Sequence, residues 1–220
     1  MMSLSRYWFG LAHGFNVRDG GGATTDQLRA PLEALGASVE EFDRSHENIL
    51  RAALGLDSAA RALAHGARSR AVPGRTERTG RTRVLVGHSH GCNVIRRAFE
   101  LDPDLAGTTC SHVVLINPAL RVDAKFPEGV QVACYYSPHD YVVAASLALR
   151  LLPWRWFWKH PWGEAGRKGM RNGAVNFNQE QLLGVRVEHS TVFTRRAYTE
   201  RLVGSVTGWL ARMAVQGAKL

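Results

Sequence analysis

Residues 87–91 of this 220-residue chain read Gly-His-Ser-His-Gly, so that a serine stands between two glycines. An apolar run, 83–87, leads into this motif, and residues 91–101 place apolar side chains on one helical face. A strand, a sharp turn and a helix in this order are typical of a nucleophile elbow, which exposes a serine hydroxyl at the turn. Both glycines are needed there because a side chain would collide with neighbouring backbone. We therefore interpret Ser89 as a candidate nucleophile.

Three other segments carry motifs that a serine nucleophile requires. Residues 7–14 are an apolar run that ends in His-Gly, and residues 130–140 are a strand pattern followed by an aspartate. Residues 182–189 form a further strand pattern that ends in a histidine. In these motifs and in their order the chain resembles the α/β-hydrolase superfamily over nearly its whole length. The resemblance implies an α/β fold, with a compact, mostly parallel six-stranded sheet flanked by helices and a small cap or lid insertion.

The resemblance also implies a role for the acidic residue and the histidine. A serine hydroxyl is a poor nucleophile unless a base removes its proton, and His189 is the expected base. Asp140 is expected to accept a hydrogen bond from the other ring nitrogen of His189 and so to fix its tautomer. Asp123, which follows the preceding strand, and Glu188 remain alternatives for the acid.

An oxyanion hole needs two backbone N–H donors that point at the developing negative charge. The first is expected from His90, directly after the nucleophile. The family resemblance implies that the second comes from the turn at residues 13–14, from Phe15 or else from Asn16. His13 is expected to bond the turn, and His13 and Asn16 are candidates to line the substrate pocket. His88 and His90 flank the serine, but residues two apart around a sharp turn diverge, so we predict no metal site.

The hydrophobic periodicity predicts alternating strands and helices in a single domain, 1–220. The predicted strands are 6–12, 39–42, 83–87, 113–117, 130–136 and 185–188. The predicted helices are about 25–35, 47–64, 91–101, one from about 142, and 196–215. Residues 66–81 are basic and contain glycine and proline, which predicts a surface loop.

The segment 147–173 does not fit this alternation, and it contains four of the six tryptophans. One interpretation is an aromatic-rich loop packed on the core. Another is a cap or lid over the site, in which Trp154 and Trp158 are candidates to line an apolar acyl pocket. A third is peripheral membrane contact through the Trp- and Arg-rich residues 150–171.

Composition and charge narrow the classes of partner and compartment. The formal net charge is +9, but no nucleic-acid recognition motif accompanies it, so no nucleic-acid partner is expected. The three cysteines, at positions 92, 110 and 134, show no metal spacing and are expected to be buried free thiols in a reducing compartment. No signal peptide or transmembrane run is recognised, so a cytoplasmic location is expected, with release by lysis as an alternative.

The resemblance implies a serine hydrolase that cleaves a small-molecule or lipid-like carboxylic ester, or a thioester, through an acyl-serine intermediate and without a cofactor. An amidase or peptidase would use the same residues. A phage or bacterial cell-envelope esterase is a further alternative, by analogy only. A non-enzymatic interaction protein on the same fold is disfavoured by the intact set of site residues. The acyl group, the alcohol and the oligomeric state are left open.

Overall fold

A parallel sheet of six strands forms the centre of the molecule. The computed structural model describes residues 3–14, 23–42, 55–69, 81–106, 109–146 and 162–217. Within these residues the strands are β1 (Tyr7–Ala12), β2 (Ser38–Glu41), β3 (Thr82–His88), β4 (His112–Ile116), β5 (Gln131–Tyr136) and β6 (Ala174–Asn178). They lie side by side in the order β2-β1-β3-β4-β5-β6. The predicted mostly parallel six-stranded sheet is therefore confirmed.

Helices cover both faces of this sheet. They are α1 (Arg29–Glu33), α2 (Leu56–Ser69), α3 (Gly91–Leu101), α4 (Tyr141–Ser146), α5 (Ala165–Lys168), α6 (Gln179–Leu183) and α7 (Arg196–Gly217). Short 3₁₀ helices span Thr25–Leu28, Pro103–Leu105 and Thr191–Phe193. None of these described helices combines the length and the apolar composition needed to cross a bilayer.

Successive residues of a strand point to opposite faces, so a strand covered on both sides is apolar throughout. In β3, Leu85 packs with Leu63 of α2 and Ile95 of α3 in one core cluster. Its neighbour Val84 belongs to a second cluster with Trp209 of α7. The helices thus lie in two layers, and the carboxyl ends of the strands meet at one edge, where this class of fold places its sites.

Two sequence predictions differ from the structure. Residues 185–188, predicted as the final strand, form a loop outside the sheet, and the sixth strand is Ala174–Asn178. This edge strand was missed because its sequence, Ala-Val-Asn-Phe-Asn, is partly polar and only partly buried. The prediction of a surface loop at 66–81 is wrong for residues 66–69, because α2 continues to Ser69.

The remainder of that loop, 70–80, and residues 47–54 of the predicted second helix lie outside the described residues. The described part of that helix is confirmed. All three cysteines are buried and free, as predicted. Burial raises the pKa of Cys110 and of Cys134 to about 12, which disfavours the reactive thiolate at neutral pH.

Candidate active site

Ser89 lies on the turn between β3 and α3, and its backbone has a φ of 54°. This left-handed conformation is rare for a residue with a side chain, and it turns the chain sharply from strand to helix. The flanking glycines make the turn possible: a Cβ on Gly91 would overlap the carbonyl oxygen of Ala12, and one on Gly87 would lie 2.8 Å from Ile95 Cδ1. Ser89 is 7% exposed.

The His13-Gly14 turn at the end of β1 lies against Ser89. A Cβ added to Gly14 would lie 3.0 Å from Ser89 Cβ and 3.4 Å from Ser89 Oγ. His13 Nδ1 is 3.1 Å from the Gly14 carbonyl oxygen, a hydrogen bond within the turn of the kind expected from the sequence. Phe15 and Asn16 lie outside the described residues, so the second oxyanion donor stays a prediction.

Asp140 and His189 are brought together from two loops that follow β5 and α6. His189 Nδ1 lies 2.8 Å from Asp140 Oδ2, and the Asp140 side chain is fully buried. Asp140 also accepts hydrogen bonds from the Val143 backbone N–H, at 2.9 Å, and from Asn117 Nδ2, at 2.8 Å. Burial by itself would raise the pKa of the Asp140 carboxyl, but these hydrogen bonds, led by that from His189, lower it overall. Asp140 is therefore an ionised acceptor for the imidazole at neutral pH.

No hydrogen bond joins Ser89 Oγ to the His189 ring within the described part of the chain. The two residues are connected through His88, the residue before Ser89. His88 Nε2 lies 3.0 Å from the His189 carbonyl oxygen, and the two imidazole centroids are 4.8 Å apart. The ring of Phe193 packs edge-on against His88 at 5.1 Å. Burial, aided by the nearby His189, lowers the pKa of His88 to about 3, so His88 is neutral and can donate to this carbonyl.

A buried amide pair behind Asp140 was missed by the sequence reasoning. Asn117 follows β4 with a φ of 45°, and Gln179 donates to its side-chain oxygen and, at 3.0 Å, to the Tyr135 carbonyl. Both amide side chains are fully buried. Asn117 is thereby oriented with its NH₂ group toward Asp140. An asparagine directly after an apolar strand was the available signal, because this residue tolerates the left-handed conformation.

Glu180 joins the loop that carries Asp140 to the loop that carries His189. Its Oε1 accepts hydrogen bonds from His139 Nδ1 at 2.6 Å and from the Val187 N–H at 3.2 Å. Ser137 Oγ donates to the Val187 carbonyl. These side-chain contacts fix the 184–189 loop, which has no strand pairing of its own.

The two alternative candidates for the acid are exposed, and the role of the His90 backbone N–H as an oxyanion donor stays a prediction. Asp123 is exposed and forms an ion pair with Arg121 at 2.7 Å, and Glu188 is exposed. His90 stands at the start of α3, with its ring edge-on to the buried Trp162 at 5.8 Å. Trp154 and Trp158 lie outside the described residues, so their place in a pocket stays a prediction. The described residues include no cluster of three or more His, Cys, Asp or Glu side chains that could hold a metal.

Solved structures similar to this one include a metagenomic carboxyl esterase, with a TM-score of 0.61 and 12% identity over 96% of this chain and 77% of that one. An esterase from Pyrococcus furiosus gives a TM-score of 0.54 and 12% identity over 94% and 83% of the two chains. A Xanthomonas campestris pv. campestris protein assigned to the alpha/beta hydrolase superfamily gives 0.50 and 16% identity over 91% and 99%. At such identities the likeness concerns the fold.

No protein-family model matches the sequence, and no curated protein is significantly similar to it.

Proposed function

We propose that this chain, which has the α/β-hydrolase fold, hydrolyses carboxylic esters or thioesters with Ser89 as nucleophile, His189 as general base and Asp140 as the acid that orients His189. One observation carries the proposal: the partly buried 2.8 Å hydrogen bond between Asp140 and His189 forms at the same sheet edge as the left-handed turn of Ser89. Esterases among the similar solved structures support the same class of reaction.

In the first half of the reaction Ser89 Oγ attacks the carbonyl carbon of the ester, and its proton passes to His189 Nε2. The bond from the carbonyl carbon to the leaving oxygen breaks, and the alcohol departs with that proton. An acyl-serine remains. Water then attacks the acyl carbon, gives a proton to His189, and releases the carboxylic acid as Ser89 Oγ takes the proton back.

The surroundings of His189 suit this role. Because its Nδ1 is held by Asp140, Nε2 is the nitrogen left to face the serine. The Asp140 carboxylate, which hydrogen bonds keep ionised, also stabilises the imidazolium that forms during attack. The apo distance between a nucleophile and its base is often long and shortens when substrate binds.

The test compares three variants on p-nitrophenyl butyrate. Ser89→Ala is expected to lose all turnover above the background, and Asp140→Asn to lose about ten-thousand-fold in kcat, because the wrong imidazole tautomer is then favoured. Asp123→Asn is the matched control, since this exposed carboxylate bonds Arg121 instead of a histidine. Full turnover in Ser89→Ala would contradict Ser89 as nucleophile, and a loss confined to Asp123→Asn would contradict Asp140 as the acid.

A further inference from the structure

A series of buried hydrogen bonds crosses the carboxyl ends of β4, β5 and β6 and ends at Asp140. It begins at the backbone carbonyl of Tyr135, which accepts a hydrogen bond from Gln179. Gln179 donates to Asn117, and Asn117 donates to Asp140. We infer that Gln179 is a positioning residue for the proposed reaction, because it makes Asn117 turn an N–H rather than an oxygen toward Asp140. This inference rests on the proposed ester hydrolysis, in which Asp140 acts as the partner of His189.

The Tyr135 carbonyl determines which end of the Gln179 amide faces it. A backbone carbonyl oxygen only accepts hydrogen bonds, whereas a glutamine amide has an acceptor at one end and two N–H donors at the other. Gln179 therefore turns its NH₂ group to Tyr135, and Nε2 lies 3.0 Å from the carbonyl oxygen. The same oxygen accepts a hydrogen bond from the Asn117 backbone N–H at 2.8 Å, so the pairing of β4 with β5 fixes its position. Gln179 is fully buried, so no contact with solvent favours the reverse orientation.

The orientation of Gln179 in turn determines the orientation of Asn117. Gln179 Nε2 also donates to Asn117 Oδ1, so the Asn117 oxygen is turned toward Gln179. The NH₂ group of Asn117 then faces Asp140, and Nδ2 lies 2.8 Å from Oδ2. The two ends of an asparagine amide have nearly the same shape, so only the hydrogen-bond partners distinguish this orientation from its reverse.

The Asn117 amide contacts the same carboxylate oxygen that holds His189. Asp140 Oδ2 accepts from Asn117 Nδ2 and from His189 Nδ1, each at 2.8 Å. In the reverse orientation Asn117 would place its own oxygen against this ionised oxygen, and two acceptors that face each other in a buried site repel. The Asp140–His189 pair would then take up a proton at higher pH. Because a protonated pair cannot remove the proton of Ser89, the serine would lose its reactivity at higher pH as well.

The pH dependence of Ser89 labelling by a fluorophosphonate tests the role of Gln179. Gln179→Met gives an unbranched side chain of similar length without the two N–H donors, so the Asn117 amide is no longer held in one orientation. The acid limb of the labelling rate is expected to move to higher pH by at least about half a unit, which is part of the roughly one to two units that a whole hydrogen bond to a charged group is worth. Gln181→Met is the matched control, since it makes the same change at an exposed position of the same helix and should leave the limb in place.

A double-mutant cycle distinguishes this positioning role from a merely structural one. In an Asn117→Gly background the amide that Gln179 orients is absent, so Gln179→Met is expected to move the acid limb no further. A uniform loss of folded protein would lower the extent of labelling at every pH without moving the limb. An unmoved limb in Gln179→Met alone, or an equal movement with and without the Asn117 amide, would overturn the inference.

Gln179→Glu provides the same test if Gln179→Met does not fold. A carboxylate of the same length only accepts hydrogen bonds, so it would attract the Asn117 NH₂ group away from Asp140. The acid limb should again move to higher pH, and it should move less in the Asn117→Gly background. Equal movement in the two backgrounds would contradict a role that acts through Asn117.

The labelling experiment separates failure of this inference from failure of the proposed function. If Ser89 is labelled in the wild type and the acid limb does not depend on Gln179, the nucleophile is supported and the positioning role is wrong. If Ser89 of the wild type is not labelled, the proposed ester hydrolysis itself is wrong, and so is the role assigned to Gln179.

Discussion

Replacing His88 with phenylalanine is expected to reduce the loss of folding stability in mild acid. His88 is only 3% exposed, and burial lowers its pKa from the usual 6.5 to about 3. Between these two pH values the unfolded chain binds a proton at this residue and the folded chain does not. The stability that depends on neutral His88 is therefore complete above pH 6.5 and is lost as the pH falls toward 3, by about 1.4 kcal/mol per pH unit. From pH 7.5 to pH 5 the loss is about 2 kcal/mol.

Urea unfolding followed by tryptophan fluorescence at pH 7.5 and pH 5 measures this effect. The variant is expected to be less stable at pH 7.5 by about 1 kcal/mol, because the hydrogen bond from His88 to the His189 carbonyl is lost. Its further loss between the two pH values should be about 2 kcal/mol smaller than that of the wild type. Phe193→Leu is the control, since it alters packing on the imidazole without removing it. An identical pH dependence in wild type and His88→Phe would refute the reasoning.

Three further predictions concern the residues around the site. Asn117→Gly keeps the left-handed backbone but removes the amide that donates to Asp140. Stability at pH 7 should therefore fall by about 2 kcal/mol, and the acid limb of the kcat/KM profile should move to higher pH. An unmoved limb would contradict this positioning role. Glu180→Ala should lower kcat by about tenfold and speed hydrogen exchange at the Val187 N–H. Glu180→Gln should recover much of the kcat and of the protection from exchange, because an amide oxygen can still accept the hydrogen bond from this N–H. Gly14→Ala should slow phosphonylation of Ser89 by at least about tenfold with little change in Tm, because the new methyl group would lie 3.0 Å from Ser89 Cβ. An unchanged rate of phosphonylation would contradict the importance of this contact.

The parts of the fold that local patterns determine could be predicted from the sequence. The apolar run before Ser89 and the helical face after it are fixed by residues adjacent in the chain, and β3 and α3 lie where these patterns predicted them. The closing helix was predicted at 196–215 and spans Arg196–Gly217 for the same reason. The order of the serine, acid and histidine motifs then identified Asp140 and His189 as candidates, and the structure brings these two side chains within hydrogen-bond distance.

The parts that depend on contacts between distant segments could not be predicted. The strand β6 is partly polar and is recognisable only by its pairing with β5. Residues 185–188 have an apolar alternation but form a loop, which Glu180 holds. Gln179 meets Asn117 across 62 positions of sequence, and no local pattern indicates which of several amide residues makes this contact.

The site of covalent modification by a fluorophosphonate tests the role of Ser89 most directly. Protein treated with the reagent is digested, and the modified residue is identified by tandem mass spectrometry, for the wild type and for His189→Ala. One adduct per chain is expected, on Ser89, and its rate of formation should fall by at least about a thousandfold in the variant, because the base that activates the hydroxyl is gone. Ester hydrolysis that persists without an adduct on Ser89, or labelling that proceeds at the same rate in His189→Ala, would contradict the proposed mechanism.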